Sequence, residues 1–484
     1  MIKLSSKARK QKMEKEKKLS EPSFYVNFEK VYARNIDSNM SLLNFLRHNH
    51  KLTGTKEGCS EGDCGACSVI ILEEDGRLAP VNSCILKVGQ ILDKNIMTVE
   101  GASKLASAKP LIEALNSKAA SQCGFCTPGF VMAAVALKEK HKNPSEKTIH
   151  DSLSGNLCRC TGYRPIVEGI QSLKQKIKFP KPRIIKEPAL KSAVFGKTTY
   201  IYPKSKKELV EFISKEKNYT VLSGGTDWNL EAEDADFKEQ KILFLKNVKE
   251  MSRVKVSASS FEIGACVTLS KFEELCHAFF PPFVDTVIRF GSPQIRTAAT
   301  VGGNLGTTSP IGDLAPLFFV LGAKLSLLGP MGERTIPIKD FFKDYRKNSL
   351  KNNELIFKVL LPKKGKKDTL FSWKLSKRYD QDISTLSLAA RVTLDKNQSL
   401  ENIILSAGGV GPTPLILHQT AGLLKKTNLT FSQSALQTAI SHDISPISDL
   451  RGTARYRSTA MVGLIKKMQR SLVSGEKQHS IMSI

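Results

Sequence analysis

With 484 residues, the chain is too long for a single hydrophobic core, and three or four domains are expected. Its hydrophobic share of 41% is that of an ordinary globular protein, and the longest apolar run, Leu314 to Leu328, is broken by Lys324, so no membrane span is expected. The formal net charge of +27 suits an acidic partner subunit, an acidic redox partner or nothing specific, and no base-stacking module accompanies it, so no nucleic-acid function is expected.

Residues 1–19 carry eight Lys or Arg against Glu14 and Glu16, a net of +6, and read as a disordered basic tail that ends by residue 21. Alternation from Phe24 to Val31 predicts a half-buried strand. Met40 to His48 has helical spacing, with Ser41 as N-cap and Leu42, Leu43, Phe45 and Leu46 as the apolar face. A cysteine-rich loop follows, then the β-branched run Ser68 to Leu72. Together these predict a small β-grasp domain over 22–97, its last strand near Ile96.

Eight of the ten cysteines form two sets: Cys59, Cys64 and Cys67 completed by Cys84, and Cys123 and Cys126 completed by Cys158 and Cys160. Four thiolates per set, the first with the plant-type spacing and fenced by Gly58, Gly62 and Gly65, suit two 2Fe-2S clusters. Structural zinc, which also takes four thiolates, is the rival. Three thiols on one nine-residue loop are unlike the two short pairs of most zinc sites. Disulfides are disfavoured, because Cys158-x-Cys160 is too tight for an unstrained ring and no apolar signal segment is read. A cytoplasmic location, where thiols stay reduced, is therefore expected. Cys266 and Cys276 read as buried structural thiols.

The second set sits among helices. Thr127 reads as N-cap and Pro128 as first-turn proline of a helix to about His141, and Pro165 opens another through Leu173. Each helix starts just after a Cys pair, so its positive end favours an anionic cluster. A helical domain over 98–175 is expected. Pro180, Pro182 and Pro188 among lysines mark a linker over 176–193.

Beyond the linker lies a mixed region, 194–365. A helix is expected over Leu209 to Lys217, with strands at Thr220 to Ser223 and Glu262 to Ala265. Two glycine-rich segments stand out: Thr220, Val221, Leu222, Ser223, Gly224, Gly225, Thr226, Asp227; and Thr300, Val301, Gly302, Gly303, Asn304, followed by Asp313. Adjacent glycines let backbone N–H groups approach a pyrophosphate, although neither segment matches G-x-G-x-x-G and each reads equally well as a plain turn. On a chain with two one-electron centres, the pair suggests a flavin, which joins one-electron to two-electron chemistry. After a charged break at Lys363 to Lys367, residues 368–478 mix strands (Leu386 to Leu394, Ile403 to Ala407) with a helix over Thr459 to Met468.

The motifs Leu52–Cys67 (LTGTKEGCSEGDCGAC), Gln122–Gly129 (QCGFCTPG) and Gly155–Pro165 (GNLCRCTGYRP) resemble the iron-sulfur domains of the xanthine oxidase family of molybdenum hydroxylases. The likeness covers residues 23 to about 470 and is greatest to members that fuse both iron-sulfur domains and the flavin domain. Ser60 replaces a glycine common in the first loop. The resemblance implies a multidomain α+β chain: a β-grasp 2Fe-2S ferredoxin domain, a four-helix-type 2Fe-2S domain, an α+β FAD-binding domain of the PCMH/VAO type and a C-terminal α+β flavoprotein domain. It also implies that residues 220–227 and 300–304 hold FAD phosphates and ribose, with Asp313 on the cofactor. Phe290 would lie against the isoalloxazine, and Ile356 and Lys374 at further FAD contacts. Tyr345-Arg346-Lys347 resembles a nicotinamide approach, Ser376–Ile383 a loop beside the flavin with Arg378 and Asp380 as candidates, and Ser448–Arg457 the end of the flavoprotein domain. Without the resemblance, Phe290 reads as a core aromatic and Lys374 as a solvated charge.

The sequence offers no further large domain for a molybdenum cofactor. By resemblance, that cofactor belongs to a large partner subunit, in a heterodimer or a pair of them, with Gln122 near its pterin and NAD as acceptor. Electrons would pass from molybdenum to the helical-domain cluster, then the ferredoxin-type cluster, FAD and NAD. Other members of the family act on aldehydes, carbon monoxide or aromatic thioesters, often with the iron-sulfur and flavin parts on separate chains. A reading from another class is a stand-alone NADH-linked electron carrier.

Overall fold

The computed structural model describes residues 21–181, 190–231 and 240–474, so the expected basic tail up to residue 20 and the linker residues 182–189 lie outside the described residues. The chain divides into two compact units. One takes the chain up to Pro203 with residues 218–245 and 293–298; the other takes 204–217, 246–292 and the chain from Ala299 on.

In the first unit, Ser23–Val26 (β1) and Glu29–Tyr32 (β2) pair antiparallel. The single strand expected over Phe24 to Val31 is thus a hairpin. Asn27 and Phe28 have φ of 51° and 69°, the two left-handed residues a two-residue turn needs. Ser68–Leu72 (β3), Leu78–Asn82 (β4) and Asn95–Met97 (β5) complete a sheet in the order β2-β1-β5-β3-β4, with β1 parallel to β5. Between β2 and β3 runs the helical turn Leu42–Asn44, which continues as a wider turn over Phe45–Asn49. Its cap is Ser41, whose Oγ accepts the Asn44 N–H at 3.1 Å. Leu42, Phe45 and Leu46 pack with Phe24, Val69 and Val81, so the apolar stripe of the helix and one face of the sheet form one core.

Helices follow at Val99–Lys104 (α1), Lys109–Ser117 (α2), Thr127–Lys140 (α3), Glu146–Leu153 (α4) and Arg164–Ser172 (α5). Four of them run two turns or more, and α1 is a short entry. Every residue of α3 from Gly129 to Lys138 is buried, as befits a helix apolar on all sides. Thr127 is its first residue and Cys126 takes the cap position, whereas the sequence suggested Thr127; the Thr127 hydroxyl pairs with Ser121 Oγ at 2.8 Å instead. A second sheet joins Ser192–Phe195 (β6), Thr198–Ile201 (β7), Thr220–Leu222 (β8) and Gln240–Phe244 (β9) in the order β6-β7-β9-β8. The linker therefore gives way to strand at Ser192.

The second unit contains Lys206–Lys215 (α6), capped by Ser205, and Leu269–Phe279 (α7). Val254–Val256 (β10), Ser260–Gly264 (β11), Lys324–Gly329 (β12), Gly332–Pro337 (β13) and Leu355–Pro362, numbered β16 after the small hairpin Phe342–Asp344 (β14) and Lys347–Asn348 (β15), form an antiparallel sheet in the order β10-β11-β16-β12-β13. Val301–Gly306 (α8) and Leu314–Val320 (α9) precede β12. The apolar run from Leu314 is thus a short helix followed by a core strand. Among the described residues, no helix is long and apolar enough to cross a membrane.

The same unit ends in a meander of Asp368–Leu375 (β17), Leu386–Leu394 (β18), Leu400–Gly408 (β19) and Leu415–Ile416 (β20). It is packed by His418–Lys426 (α10), Gln433–Asp443 (α11) and Ala454–Ser474 (α12). Trp373, Leu388, Leu405, Leu436 and Ile465 share its core. Cys266 and Cys276 are buried.

One charge sits inside the helical domain. Lys138 is 0% exposed, and its Nζ donates to Lys142 O at 2.5 Å and Leu173 O at 2.6 Å, tying the end of α3 to the end of α5. Lys138→Ala leaves both carbonyls without their donor and is expected to destabilise the protein by about 1–3 kcal/mol, read as a lower urea midpoint.

Candidate iron-sulfur and flavin sites

The first thiol set lies in the loop between the ferredoxin helix and β3, completed by Cys84 just after β4. Cys67 and Cys84 are buried, with sulfurs 3.3 Å apart, and the Cys59 thiol touches those of Cys64 and Cys84. The loop turns its amides inward: the N–H groups of Asp63 and Cys64 donate to Cys59 Sγ at 3.2 and 3.3 Å. Asn82 Nδ2 points at Cys67 Sγ from 3.7 Å. Ser60, the departure from the expected glycine, has φ of 59° and donates its hydroxyl to Glu57 Oε1 at 2.7 Å, so the loop keeps the left-handed residue that glycine adopts freely.

Crowding splits the four acidities. Hydrogen bonds from neighbouring thiols hold Cys59 and Cys67 below the ordinary thiol range. The same contacts, with burial, push Cys64 and Cys84 above it. Four thiolates this close are compatible only with positive metal charge among them, and inward amides suit a cluster that remains anionic. The donor set therefore fits a 2Fe-2S cluster.

The second set is more open. Cys123 and Cys160 are exposed with sulfurs 3.5 Å apart, whereas Cys158 is buried and meets Cys126. Burial first, and the Cys158 thiol second, push Cys126 up to about 12. Thr161 serves Cys158 twice, with its N–H at 3.5 Å and its Oγ1 at 3.1 Å from the sulfur. Tyr163, the α5 cap, places its hydroxyl 3.0 Å from the Cys158 N–H, which donates to it. Gln122 is exposed beside Cys123. These four thiols fit the same kind of cluster.

The two thiol loops are knitted together. The Leu157 N–H donates to Cys64 O at 3.0 Å, and Asn156 Nδ2 to Gly65 O at 3.1 Å. Gln294 then clamps the joint, its Nε2 donating to Asn156 Oδ1 at 2.9 Å and to Ser68 Oγ at 3.1 Å. Gly65 has φ of 68°, and a Cβ there would lie 2.1 Å from Gly155 O; a Cβ on Gly129 would lie 2.2 Å from Gly65 O. Asn156 stood inside a quoted motif, but nothing in the sequence marked Gln294.

The flavin candidates fall in both units. In the first, β8 runs through Thr220, Val221 and Leu222 into the turn Ser223-Gly224-Gly225-Thr226-Asp227, with Gly225 at φ 76° and Asp227 exposed. In the second, Thr300 caps α8 by accepting the Gly303 N–H at 3.1 Å. Gly302, next to the buried Val301, donates its N–H to Ala265 O at 2.7 Å. Asn304 Oδ1 is buried with no hydrogen-bond partner among the described residues, an orphan that can accept a ribose hydroxyl. Ile356 is buried, its Cδ1 3.9 Å from where a Cβ on Gly306 would stand. Phe290 is half-buried at the end of a short helix, so the default of a core aromatic is only half met.

Lys374 is not a solvated charge. It is 1% exposed on β17, and its Nζ donates to Asp313 Oδ2 at 2.7 Å and to Arg289 O at 3.1 Å. The strand is covered on both faces there, which period-2 reading of a lone lysine cannot anticipate. Ser384 Oγ donates to Asp313 Oδ1 at 2.5 Å, so both oxygens of Asp313 are engaged. Arg289 in turn donates to Tyr379 O, Lys374 O and Ser376 Oγ at 2.8–3.0 Å, holding the 376–383 loop. Within that loop, the Arg378 N–H donates to Asp382 Oδ2 at 2.8 Å. Tyr345, 59% exposed, sits with Arg346 in the turn between β14 and β15, and Lys347 opens β15.

Four sequence profiles match: a 2Fe-2S iron-sulfur cluster binding domain over 26–89, a [2Fe-2S] binding domain over 98–171, an FAD binding domain in molybdopterin dehydrogenase over 194–364, and a CO dehydrogenase flavoprotein C-terminal domain over 371–472. Among curated relatives, the chain is 28% identical over 527 residues to a xanthine dehydrogenase of Emericella nidulans, covering 93% of this chain and 38% of the relative. It is 30% identical to xanthine dehydrogenase 2 of Arabidopsis thaliana, covering 83% of this chain and 36% of the relative. The chain thus spans about two fifths of the curated relatives it matches. Among solved structures, a carbon monoxide dehydrogenase chain from Hydrogenophaga pseudoflava superposes with a TM-score of 0.51 at 23% identity, covering 55% of this chain and 94% of that one. A quinoline 2-oxidoreductase chain from Pseudomonas putida 86 gives 0.51 at 18% identity, covering 57% and 95%. The fold is therefore mixed α+β, with two 2Fe-2S domains, an FAD-binding domain and a flavoprotein C-terminal domain.

Two substitutions test the geometry. Gly65→Ala drives a methyl group into Gly155 O and adds about 1–2 kcal/mol of left-handed strain, so iron content is expected to fall at both sets together. Lys374→Ala strands the buried Asp313 carboxylate and is expected to cost about 3–5 kcal/mol, read as a lower urea midpoint.

Proposed function

We propose that this chain, which belongs to the xanthine oxidase family of molybdenum hydroxylases and carries that family's iron-sulfur and FAD domains, is the electron-transfer subunit of a xanthine dehydrogenase. The overall reaction is then xanthine, NAD+ and water to urate and NADH. A large partner subunit binds the molybdenum cofactor and the purine, and the assembly, a heterodimer or a pair of them, works in the cytoplasm. When bound, two 2Fe-2S clusters and FAD supply a relay between the partner's two-electron oxidation and the reduction of NAD. The observation that carries the reading is the pair of four-thiol sets in one compact unit, each with backbone N–H groups turned toward its sulfurs.

The chain's own residues place and insulate the relay. Cys59, Cys64, Cys67 and Cys84 anchor one cluster in a buried pocket; Cys123, Cys126, Cys158 and Cys160 anchor the other where the surface is open to the partner. Gln122 is exposed beside Cys123, and in this reading it lies near the partner's pterin. Residues 220–227 present glycine N–H groups to the FAD phosphates. In the segment Thr300, Val301, Gly302, Gly303 and Asn304 the backbone N–H groups from Val301 to Asn304 are used internally, and the side chains of Thr300 and Asn304, with the orphan Asn304 Oδ1, supply the polar contacts. Asp313 and Lys374 form a neutralised buried pair that would contact the cofactor, with Ile356 and Phe290 as apolar contacts. Tyr345 and the loop of Arg378 and Asp380 flank the approach of NAD. We assign the domains as 22–97, 98–175, 194–365 and 368–478, with a basic tail over 1–21 and a linker over 176–193.

The test is co-expression with the molybdenum subunit, followed by metal and flavin analysis and an assay of NADH formation with xanthine. Xanthine-dependent NADH formation is expected; turnover of an aldehyde but not a purine would assign the chain to another hydroxylase of the family. Cys160→Ser is expected to abolish one of two paramagnetic signals and leave FAD bound. Loss of FAD with both signals intact would contradict the domain assignment.

A further inference from the structure

Between the first thiol set and the Gly224-Gly225 turn runs a buried amide bridge that neither cluster binding nor flavin binding has so far used. Asn229, 1% exposed, lies in the short helix Trp228–Glu231 that follows the turn. Its Nδ2 donates to Ile85 O, the residue after Cys84, at 2.6 Å, and to Gln90 Oε1 at 2.6 Å. Gln90 Oε1 also accepts the Lys87 N–H at 3.2 Å, and Gln90 Nε2 donates to Gly224 O at 3.2 Å. The Asn229 N–H returns to Gly225 O at 2.9 Å. Donors and acceptors fix both amide orientations, since each Nδ2 or Nε2 faces carbonyl oxygens. Gly225 leaves room for the bridge: a Cβ there would come within 2.6 Å of Asn229 Nδ2 and 2.9 Å of Gln90 Nε2. Leu230, on the same helix, packs against the core of Leu43, Cys67, Cys84 and Ile85.

We propose that Asn229 and Gln90 are positioning residues that lock the flavin-phosphate turn to the backbone beside Cys84, so that flavin retention and the setting of the first cluster are coupled. This rests on the reading of that turn as an FAD-phosphate loop. An amide pair is suited to the task because two buried hydrogen bonds fix distance and orientation without adding a charge near the cluster. Polar contacts at both ends make the bridge cooperative: breaking either residue frees the turn.

The experiment measures FAD affinity, by recovery of flavin fluorescence, and the reduced paramagnetic spectrum, in the full chain and in Asn229→Ala, Gln90→Ala and the double variant. Each single variant is expected to weaken FAD binding about tenfold with iron content unchanged and to shift the signal of the Cys84-containing cluster. The double variant is expected to be no weaker than either single one, as a shared bridge requires. Gln90→Met, which removes both amide contacts without adding a charge and nearly keeps the volume, is the second probe should Asn229→Ala fail to fold; it is expected to weaken FAD binding and shift the cluster signal as Gln90→Ala does. Wild-type FAD affinity in iron-replete single variants, or additive losses in the double variant, would overturn the proposal. Gly225→Val separates the two readings: if it too leaves FAD affinity unchanged, the assignment of the phosphate loop fails, whereas if it alone abolishes binding, only the amide bridge fails.

Discussion

Two thiol-bearing loops meet at a point where nothing larger than hydrogen fits on the α-carbon. Gly65 from one loop faces the carbonyl of Gly155 from the other, and Gly129 on the central helix closes on Gly65 in turn. The backbone bond from Leu157 to Cys64 and the side-chain bond from Asn156 to Gly65 can form only at this separation. A bonded route therefore joins a thiol of one set to a thiol of the other through residues adjacent to the ligands. Because the β-grasp sheet and the helical bundle that carry the loops share one core, with Ile70, Leu72 and Met97 packed among Phe130, Ala134 and Ile170, the spacing of the loops is fixed by packing and not by loop stiffness.

The two sets differ in exposure, and that difference follows from their supports. The ferredoxin loop is drawn under β3 and β4, which buries Cys67 and Cys84. The helical set sits at the N-terminal ends of α3 and α5, where side chains splay outward, and Cys123 and Cys160 stay open with Phe125 and Leu157 exposed beside them. Inward amides favour an anionic cluster in both places, and the ends of α3 and α5 add to this at the second set.

How much of this was legible in the sequence depends on distance along the chain. The thiol sets were, because their spacing is local and iron-sulfur chemistry demands it. So were β3, the Ser41 cap and the strands β18 and β19 of the C-terminal meander, where local pattern and burial agree. The β1–β2 turn was not, since Asn-Phe is an uncommon pair for two left-handed residues and alternation runs through it unbroken. Taken without the resemblance, Lys374 passes for a solvated charge because its partner, Asp313, lies 61 positions away. Gln294, clamping Asn156 from 138 positions off, and Asn229, reaching Ile85 across 144, left no local signal at all. The flavin segments carried weak patterns that resemblance made specific, and their buried orphan acceptor at Asn304 emerges only in three dimensions.

The account stands on two separate diiron centres held in contact by one glycine-lined joint. Electron paramagnetic resonance of the anaerobically prepared, dithionite-reduced protein, with spin quantitation across temperature and microwave power, tests this most directly. Two distinct signals of equal intensity, each broadened by its neighbour, are predicted. A single signal, or a silent spectrum with zinc bound in the thiol sets, would contradict it.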